Sequence, residues 1–183
     1  MIEKEEIKYI ENDPNKGIEV NYGKVRKAYK KIIKQGTGKL YDPTTIPFEK
    51  IRYAVLMSTR KTGKTNTNLL FALIAWQMYG ITTAYVRQLE SDITYNEIKS
   101  FFDVLRTFNY AAIVTGDEYS DFEIRGSYGY LVHYDEKLKV DKRSDPFVWF
   151  GAISTQAKYK SKLNLTKCQI IMFDEFISNI HIN

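Results

Sequence analysis

Apolar residues recur with helical spacing in three segments of the chain. Residues 21–36 carry one apolar stripe and end in a glycine, which commonly follows the last turn of a helix. Residues 64–80 are apolar on nearly every side after their first turn, so this helix should be buried. Thr94 and Glu97 have the spacing of a capping box, and the stripe that follows them predicts a third helix. The two stripes consist of Val25, Tyr29, Ile32 and Ile33 and of Ile98, Phe101, Phe102, Leu105 and Phe108.

Shorter apolar or β-branched runs predict strands between and after these helices. Residues 51–57 form a run with the character of a buried strand, and residues 82–87 are rich in threonine and aromatic side chains. Residues 168–176 end the pattern with a buried strand that carries two acids near its carboxyl end. Further strands are expected at 111–116, 121–126, 128–136 and 146–154, the last two forming a hairpin across the charged loop 135–145.

The order of these elements predicts an α/β domain, which we assign to residues 40–183. Residues 1–39 precede it as a basic helical extension, and the charged residues 1–13 are expected to form a short helix that stops before Pro14. The basic residues of the next helix form either a solvated face or a surface that contacts nucleic acid or a protein partner. They are Lys24, Arg26, Lys27, Lys30, Lys31 and Lys34.

Composition places the chain among folded proteins with a moderate positive charge. Its 183 residues are 44% apolar and 14% aromatic, enough for one compact domain and too apolar for a disordered chain. A net charge of +5 is compatible with a partner that carries phosphates. The single cysteine, Cys168, excludes a disulfide within the chain and suits a reducing compartment. The amino terminus lacks the apolar segment of a signal peptide, and the longest apolar run, residues 69–76, is too short to span a bilayer.

Residues 58–65, with the sequence STRKTGKT, resemble a phosphate-binding loop of the pattern G-x-x-x-x-G-K-[ST]. Gly63 would let the backbone approach the phosphates, Lys64 would reach the β- and γ-phosphates, and the Thr65 hydroxyl would bind Mg²⁺. A strand before the loop and a helix after it provide the required context, although a basic surface turn is the alternative. The candidate binding residues are Ser58, Thr59, Arg60, Lys61, Thr62, Gly63, Lys64, Thr65 and Asn66.

Two features of this loop depart from the pattern. Ser58 stands where the first glycine is usual, and a small serine is the least disruptive replacement there. Arg60 and Lys61 add two cations inside the loop. Because a guanidinium can clamp phosphate oxygens with parallel donors, Arg60 is a candidate catalytic residue that stabilises charge on the γ-phosphate, unless it points into solvent.

The strand IIMFDE, residues 170–175, supplies the acids that a nucleotide site requires. Ligand sites of α/β sheets lie at the carboxyl ends of the strands, where Asp174 and Glu175 occur. Asp174 would hold Mg²⁺, directly or through water, and Glu175 would act as the general base on the attacking water. An ordinary acidic strand end is the alternative, but the two motifs in this order together favour nucleotide binding.

The sequence resembles the DNA-packaging ATPases of phi29-type phages. The matching segments are LYDP at 40–43, STRKTGKT at 58–65, YVR at 85–87 and IIMFDEFI at 170–177, so the resemblance covers about residues 40–183. It implies an ASCE-type P-loop fold, with a twisted, mainly parallel sheet, helices on both faces and an antiparallel hairpin before the Walker B strand. It also implies that Lys64 and Thr65 hold phosphate and Mg²⁺, that Asp174 is the Walker B acid and that Glu175 is the catalytic glutamate.

The same resemblance implies a working assembly. Proteins of this group act as a ring at the portal vertex of a procapsid and use ATP to drive double-stranded DNA inward. The expected partners are therefore ATP with Mg²⁺, double-stranded DNA, other copies of the chain, a portal or connector and a packaging RNA, with no membrane. The expected location is the host cytoplasm, with a transient stay at the portal vertex. Tyr41 and Asp42 are candidates for contact with the adenine, and the cluster Lys158, Lys160 and Lys162 is either a source of a cation in trans or a solvated surface.

Relatives in that group continue well beyond the Walker B strand, whereas this sequence ends at Asn183. We therefore expect an amino-terminal fragment that hydrolyses ATP weakly by itself. A helicase-like nucleic-acid translocase is the main alternative, because an Asp-Glu pair suits it equally. Ser58 and the basic helix at 21–36 also suit a non-hydrolysing module that binds nucleic acid or a scaffold. A small-molecule kinase is less compatible with the Asp-Glu pair.

Overall fold

The structure is a computed structural model, and it describes residues 2–6, 8–9, 17–33, 41–50, 54, 63–134, 139–155 and 167–174. Several predictions from the sequence fall outside these residues. They are all of the predicted strand at 51–57 except position 54, the loop residues 58–62, the helix stop at Gly36, the lysine cluster at 158–162 and Glu175.

Four α-helices and eight strands make up the described secondary structure. The helices are α1 (Tyr22–Ile33), α2 (Lys64–Tyr79), α3 (Tyr95–Thr107) and α4 (Tyr110–Thr115). The strands are β1 (Lys8–Tyr9), β2 (Ile18–Glu19), β3 (Thr82–Arg87), β4 (Asp121–Arg125), β5 (Tyr128–Tyr134), β6 (Val140–Arg143), β7 (Val148–Ala152) and β8 (Cys168–Phe173). Short 3₁₀ turns occur at Pro43–Thr45, Glu90–Asp92 and Ile153–Thr155.

The larger sheet has the strand order β4-β5-β7-β3-β8, and β6 pairs with β5 beside this path. β3 pairs in parallel with both β7 and β8, whereas β4, β6 and β7 all pair with β5 in antiparallel fashion. The predicted α/β class is therefore confirmed, and the described part of the sheet is mixed rather than mainly parallel. Since the parallel strands β3 and β8 run in one direction, their carboxyl ends meet at a single edge.

The helix α2 lies at the centre of the hydrophobic core. Its residues from Leu69 to Tyr79 are all buried, because the segment is apolar on every side, as the sequence predicted. It packs against α1, α3 and α4. Glycines in the left-handed conformation stand at both of its ends, at Gly63 (φ 74°) and Gly80 (φ 69°). Among the described residues, no helix is long and apolar enough to cross a membrane.

The helix α1 joins the same core. Its predicted stripe is confirmed, since Val25, Tyr29 and Ile32 are buried and Ile33 is partly buried. α1 packs against α2, so this part of the predicted extension contributes to the core that α2 forms.

The predicted helix at residues 1–13 is wrong for the described part of that segment. Residues 2–6 form no helix, and β1 pairs in antiparallel fashion with β2. The backbone N–H of Ile2 donates to the Val114 carbonyl over 3.3 Å, and that of Glu5 donates to the Met78 carbonyl over 2.9 Å. These carbonyls belong to the last turns of α4 and α2, which have no partner within their own helix. These two hydrogen bonds hold the segment against α4 and α2, because its N–H groups supply partners for carbonyls at the ends of both helices.

Three other expectations need correction. Residues 111–116 do not form a strand but lie in α4 and its cap, between Asn109 (φ 52°) and Gly116 (φ 67°), both left-handed. The predicted antiparallel pairing of β5 with β7 is confirmed over two positions, but the loop between them also contains β6, which forms a longer pairing with β5. β8 is not fully buried, because Ile170 faces the core whereas Ile171 is 70% exposed. Successive side chains of a strand point to opposite faces, and only one face of β8 meets the described core.

Candidate functional site

The amino terminus of α2 lies beside the carboxyl ends of β3 and β8. Gly63 caps the helix in the left-handed conformation and contributes no side-chain hydrogen bond to its first turn. The first N–H groups of a helix lack partners within the helix, and the helix dipole is positive at that end. Lys64 and Thr65 are the first two residues of α2, so the sequence motif does coincide with a helix start. This end of α2 is suited to an anion.

Thr65 and Asp174 are brought into direct contact at this point. The Thr65 hydroxyl Oγ1 donates to Asp174 Oδ2 over 2.7 Å, across a separation of 109 residues in the chain. Asp174 follows β8 directly, and its backbone N–H donates to the Val86 carbonyl over 3.0 Å, which extends the pairing of β8 with β3. The position of Asp174 is therefore set by the sheet, and that of Thr65 by the start of α2.

A second hydroxyl group reaches the same carboxylate oxygen. Tyr85 lies on β3, and its hydroxyl donates to Asp174 Oδ2 over 2.9 Å. The ring of Tyr85 is almost wholly buried against Phe150 and Phe101. Burial raises the pKa of the Tyr85 hydroxyl, and the negative charge of Asp174 raises that pKa further. The hydroxyl is therefore a neutral donor to Asp174 over the physiological range of pH.

Arg87 continues this network towards α3. Its Nε donates to the Tyr85 hydroxyl oxygen over 3.0 Å, and its Nη1 donates to the Asp92 carbonyl over 2.9 Å and to Glu97 Oε1 over 3.1 Å. Its guanidinium carbon lies 5.9 Å from the ring centroids of both Tyr85 and Phe101. Arg87 is buried, which is uncommon for an arginine unless its donors are paired.

Glu97 anchors the far end of this network. The predicted capping box is confirmed, since Thr94 Oγ1 accepts from the Glu97 N–H over 3.3 Å and Glu97 Oε2 accepts from the Thr94 N–H over 3.1 Å. Glu97 Oε1 is thereby left to accept from Arg87. The amino terminus of α3 is thus linked to the amino terminus of α2 through Arg87, Tyr85 and Asp174.

The oxygen donors at this site fit a hard cation such as Mg²⁺. A hydroxyl and a carboxylate converge, and Mg²⁺ prefers a few such ligands, with water and phosphate oxygens completing its shell. Within the described part of the chain, no three His, Cys, Asp or Glu side chains are grouped as a closed metal cage. Thr65 and Asp174 are the described residues that would hold such a cation.

Three predicted binding residues lie apart from this contact. Asp42 caps the turn Pro43–Thr45, where its Oδ1 accepts from the Thr44 N–H over 2.8 Å. This turn packs against α1 and α2, so Tyr41 and Asp42 flank α2 on the side of α1. Asn66 lines a small, mostly apolar cavity with Val104 and Phe108, where its Oδ1 is buried without a hydrogen-bond partner.

The remaining predicted site residues fall outside the described part of the chain. They are Ser58, Thr59, Arg60, Lys61, Thr62 and Glu175. Of the predicted set, the geometry therefore brings together Thr65 and Asp174, and Lys64 immediately precedes Thr65 at the start of α2. Tyr85 and Arg87 were known from the sequence only as part of the segment YVR, and their role beside Asp174 was missed. Side chains alternate between the two faces of a strand, so the sequence already indicated that Tyr85 and Arg87 share one face of β3.

Comparison with models of protein families, with curated proteins and with solved structures gave no match to this chain. The chemistry of the site is therefore inferred from its own residues. Any function must explain the contact of Thr65 with Asp174 and the buried hydrogen bonds that join Asp174 to Tyr85 and Arg87.

Proposed function

We propose that this chain binds a nucleoside triphosphate together with Mg²⁺ at the amino terminus of α2 and hydrolyses it. The observation that carries the proposal is the 2.7 Å contact between Thr65 Oγ1 and Asp174 Oδ2. Two oxygen donors from distant motifs meet where a helix start favours phosphate. A chance pair of motifs has no reason to converge in this way.

Each residue then has a defined task. Lys64 neutralises phosphate charge, while Thr65 and Asp174 hold the cation, and Arg60 adds charge stabilisation from the loop. Mg²⁺, when bound, would screen the charge of the phosphate oxygens. Glu175, one residue beyond Asp174, accepts a proton from the attacking water. Tyr41 and Asp42, on the flank of α2, are proposed to contact the base.

The order of the elements supports a P-loop fold of the ASCE type. The motif at 58–65 leads into α2, β3 follows, and β8 lies beside β3 with its acid at the carboxyl end. An antiparallel pair, β4 and β5, precedes β8 in the chain. These features agree with the fold that the resemblance implies.

We further propose that the chain is the ATPase part of a motor that packages double-stranded DNA into a viral procapsid. The support is the resemblance of four segments to phi29-type packaging ATPases, including the arginine within the loop at 58–65. The proposed partners are double-stranded DNA, further copies of the chain in a ring, a portal or connector, and a packaging RNA. The proposed location is the host cytoplasm and the portal vertex.

Equilibrium binding of ATP to the full chain tests the nucleotide site. Wild type should bind ATP more tightly with Mg²⁺ than with a chelator, and Lys64→Ala should weaken that affinity by about tenfold or more because a phosphate loses its charged partner. Lys99→Ala, which removes an exposed lysine of α3, is the matched control and should bind as wild type does. An absence of Mg-dependent ATP binding in the wild type would contradict the proposal.

A turnover measurement separates binding from hydrolysis. Glu175→Gln should retain the affinity for ATP and lose hydrolysis, because the amide cannot accept the proton of the attacking water. If hydrolysis survived in this variant, Glu175 would not be the base. Stimulation of hydrolysis by double-stranded DNA would support the motor over an enzyme that acts on small molecules.

A second candidate is a module that binds nucleic acid without hydrolysing nucleotide. The exposed residues Lys27, Lys30 and Lys31 of α1 favour it, because no described residue forms an ion pair with any of them. This candidate requires DNA binding by a chain that shows no Mg-dependent binding of ATP. The binding experiment with ATP therefore decides between the two.

A further inference from the structure

The Tyr85 hydroxyl has a fixed direction within the network at Asp174. Arg87 Nε carries one hydrogen and donates it to the Tyr85 oxygen over 3.0 Å. An arginine has no acceptor to offer in return, so the hydrogen of the Tyr85 hydroxyl must point elsewhere. It points to Asp174 Oδ2, at 2.9 Å. Arg87 therefore orients Tyr85, and Tyr85 donates to Asp174.

Arg87 is itself held in place from three sides. Its Nη1 is bound by the Asp92 carbonyl and by Glu97, and its guanidinium lies over two aromatic rings. Glu97 is fixed in turn by the capping box of α3. A buried arginine is costly to desolvate, and several charge-assisted contacts offset that cost for Arg87. Such a network is more than a tyrosine needs for simple burial, because one backbone carbonyl would satisfy its hydroxyl.

The consequence for Asp174 is a restrained carboxylate. Oδ2 accepts from Thr65 on one side and from Tyr85 on the other. Thr65 belongs to the first turn of α2, where the proposed function places the cation and the phosphates. Tyr85 lies on β3, which pairs with β7 on one side and β8 on the other, and it approaches from within the sheet. A ligand whose outer partner is fixed by the scaffold keeps its orientation, and loss of such a partner commonly weakens metal affinity by ten- to a hundredfold.

We infer that Tyr85 is a positioning residue that holds the Asp174 carboxylate ready for the Mg²⁺ that accompanies the nucleotide, and that Arg87 sets the direction of the Tyr85 hydroxyl. The inference rests on the proposed function, because it assigns Tyr85 and Arg87 to the same site. It adds that Glu97, at the start of α3, helps to hold the Asp174 carboxylate in place through Arg87 and Tyr85.

Removal of one oxygen atom tests the role of Tyr85. The full-length Tyr85→Phe chain keeps the ring contacts and loses the hydroxyl, which is both the donor to Asp174 and the acceptor of Arg87 Nε. Its affinity for ATP with Mg²⁺ should fall about tenfold, whereas its affinity for ATP with a chelator should change less than about twofold, because metal-free ATP does not depend on Asp174. A purely structural role would lower both affinities together. The control is Tyr119→Phe, since Tyr119 is also buried but packs against Trp76 in the last turns of α2, far from Thr65.

Arg87→Lys provides an independent test, and it keeps the charge while removing the Nε donor. It should weaken the Mg-dependent affinity in the same direction, by about threefold, because the Tyr85 hydroxyl is then less firmly directed. Thermal unfolding of each variant shows whether the fold survives, and Arg87→Lys decides the matter if Tyr85→Phe does not fold. Mg-dependent binding equal to wild type in the folded variants would overturn the inference and leave the proposed function intact. Absence of Mg-dependent binding in the wild type would overturn both.

Discussion

The Thr65 hydroxyl and the Asp174 carboxylate are hydrogen-bonded at 2.7 Å, although 109 residues separate them in the chain. This contact joins the first turn of α2 to the end of β8. The same Asp174 oxygen also accepts from the Tyr85 hydroxyl of β3, so three elements meet at this point. Substitution of Thr65 or Asp174 is therefore the most direct test of the proposed site.

Two substitutions at Thr65 separate its hydroxyl from its shape. Thr65→Val removes the donor at nearly constant volume, and it should weaken Mg-dependent ATP affinity by about ten- to a hundredfold, the range expected for a lost hydrogen bond or ligand at a charged group. Thr65→Ser keeps the hydroxyl and should remain within about threefold of wild type. Titration of ATP with and without Mg²⁺ measures both. Equal affinities of the valine and serine variants would show that the hydroxyl is not a ligand.

The two glycines at the ends of α2 form a matched pair for a test of the phosphate-binding end. Gly63 and Gly80 have nearly the same left-handed backbone, with φ of 74° and 69°. Alanine at either position should cost about 1–2 kcal/mol of unfolding free energy, because a Cβ atom is strained there. A Cβ at Gly80 would meet no atom within 4 Å, so backbone strain is its only effect.

Only Gly63→Ala should also weaken ATP binding, because only that end of α2 faces the proposed phosphates. Denaturant unfolding and ATP titration of both variants measure the two effects separately. A loss of ATP affinity in Gly80→Ala of the same size would mean that helix stability, and not the site, controls binding.

Local rules explain the parts of the fold that the sequence predicted well. The burial of α2 follows from a segment that is apolar on all faces, and the start of α3 follows from the capping box of Thr94 and Glu97. Thr65 and Asp174 were predicted as ligands of one cation, because each motif has a known place at a helix start or a strand end, whereas their direct hydrogen bond was not predicted. Each of these signals is contained within a few neighbouring residues of the chain.

The features that the sequence did not predict depend on contacts between distant segments. The run at 111–116 is too short for its hydrophobic period to distinguish a strand from a helix. It forms the helix α4, which packs against α2 and α3. The role of Tyr85 depends on the register of β3 with β8, which pairs Tyr85 with Met172. Asp174 lies two residues beyond Met172, where the Tyr85 hydroxyl reaches it. No local pattern of residues specifies that register.

Buried tyrosines predict a loss of stability at alkaline pH. Burial raises the pKa of Tyr29 above the usual value of 10.0, and the charge of Asp42 adds to the shift. The folded pKa exceeds the unfolded one, so the stabilisation is complete below about pH 10 and declines as pH rises above it. Burial also raises the pKa of Tyr22, Tyr79 and Tyr110.

Thermal unfolding followed between about pH 8 and about pH 11 should therefore show a falling melting temperature above about pH 10. Tyr29→Phe should make that fall shallower, because one buried ionisable group is gone. Tyr95→Phe is the control, since Tyr95 is 63% exposed and should leave the pH profile unchanged. A profile that is flat to about pH 11 in the wild type would contradict the expectation.

The lysines of α1 allow a test of DNA as a partner. Lys24 is paired with Glu5 at 2.5 Å, whereas the exposed Lys27, Lys30 and Lys31 have no ion pair with any described residue. Their spacing places them on one side of α1, where they can meet a phosphate backbone without reading sequence. Each phosphate contact should contribute about 0.9 to the slope of the logarithm of affinity against the logarithm of salt concentration.

Replacement of Lys27, Lys30 and Lys31 together by Gln should therefore weaken binding to double-stranded DNA and lower the magnitude of that slope by up to about three. Lys24→Gln should leave the slope unchanged, because Lys24 already has an acidic partner. The ATP affinity of the triple variant should equal that of wild type, since α1 carries these side chains away from the core that it shares with α2. Fluorescence titrations with a DNA duplex at several salt concentrations measure the slope. An unchanged slope in the triple variant would show that α1 does not contact DNA.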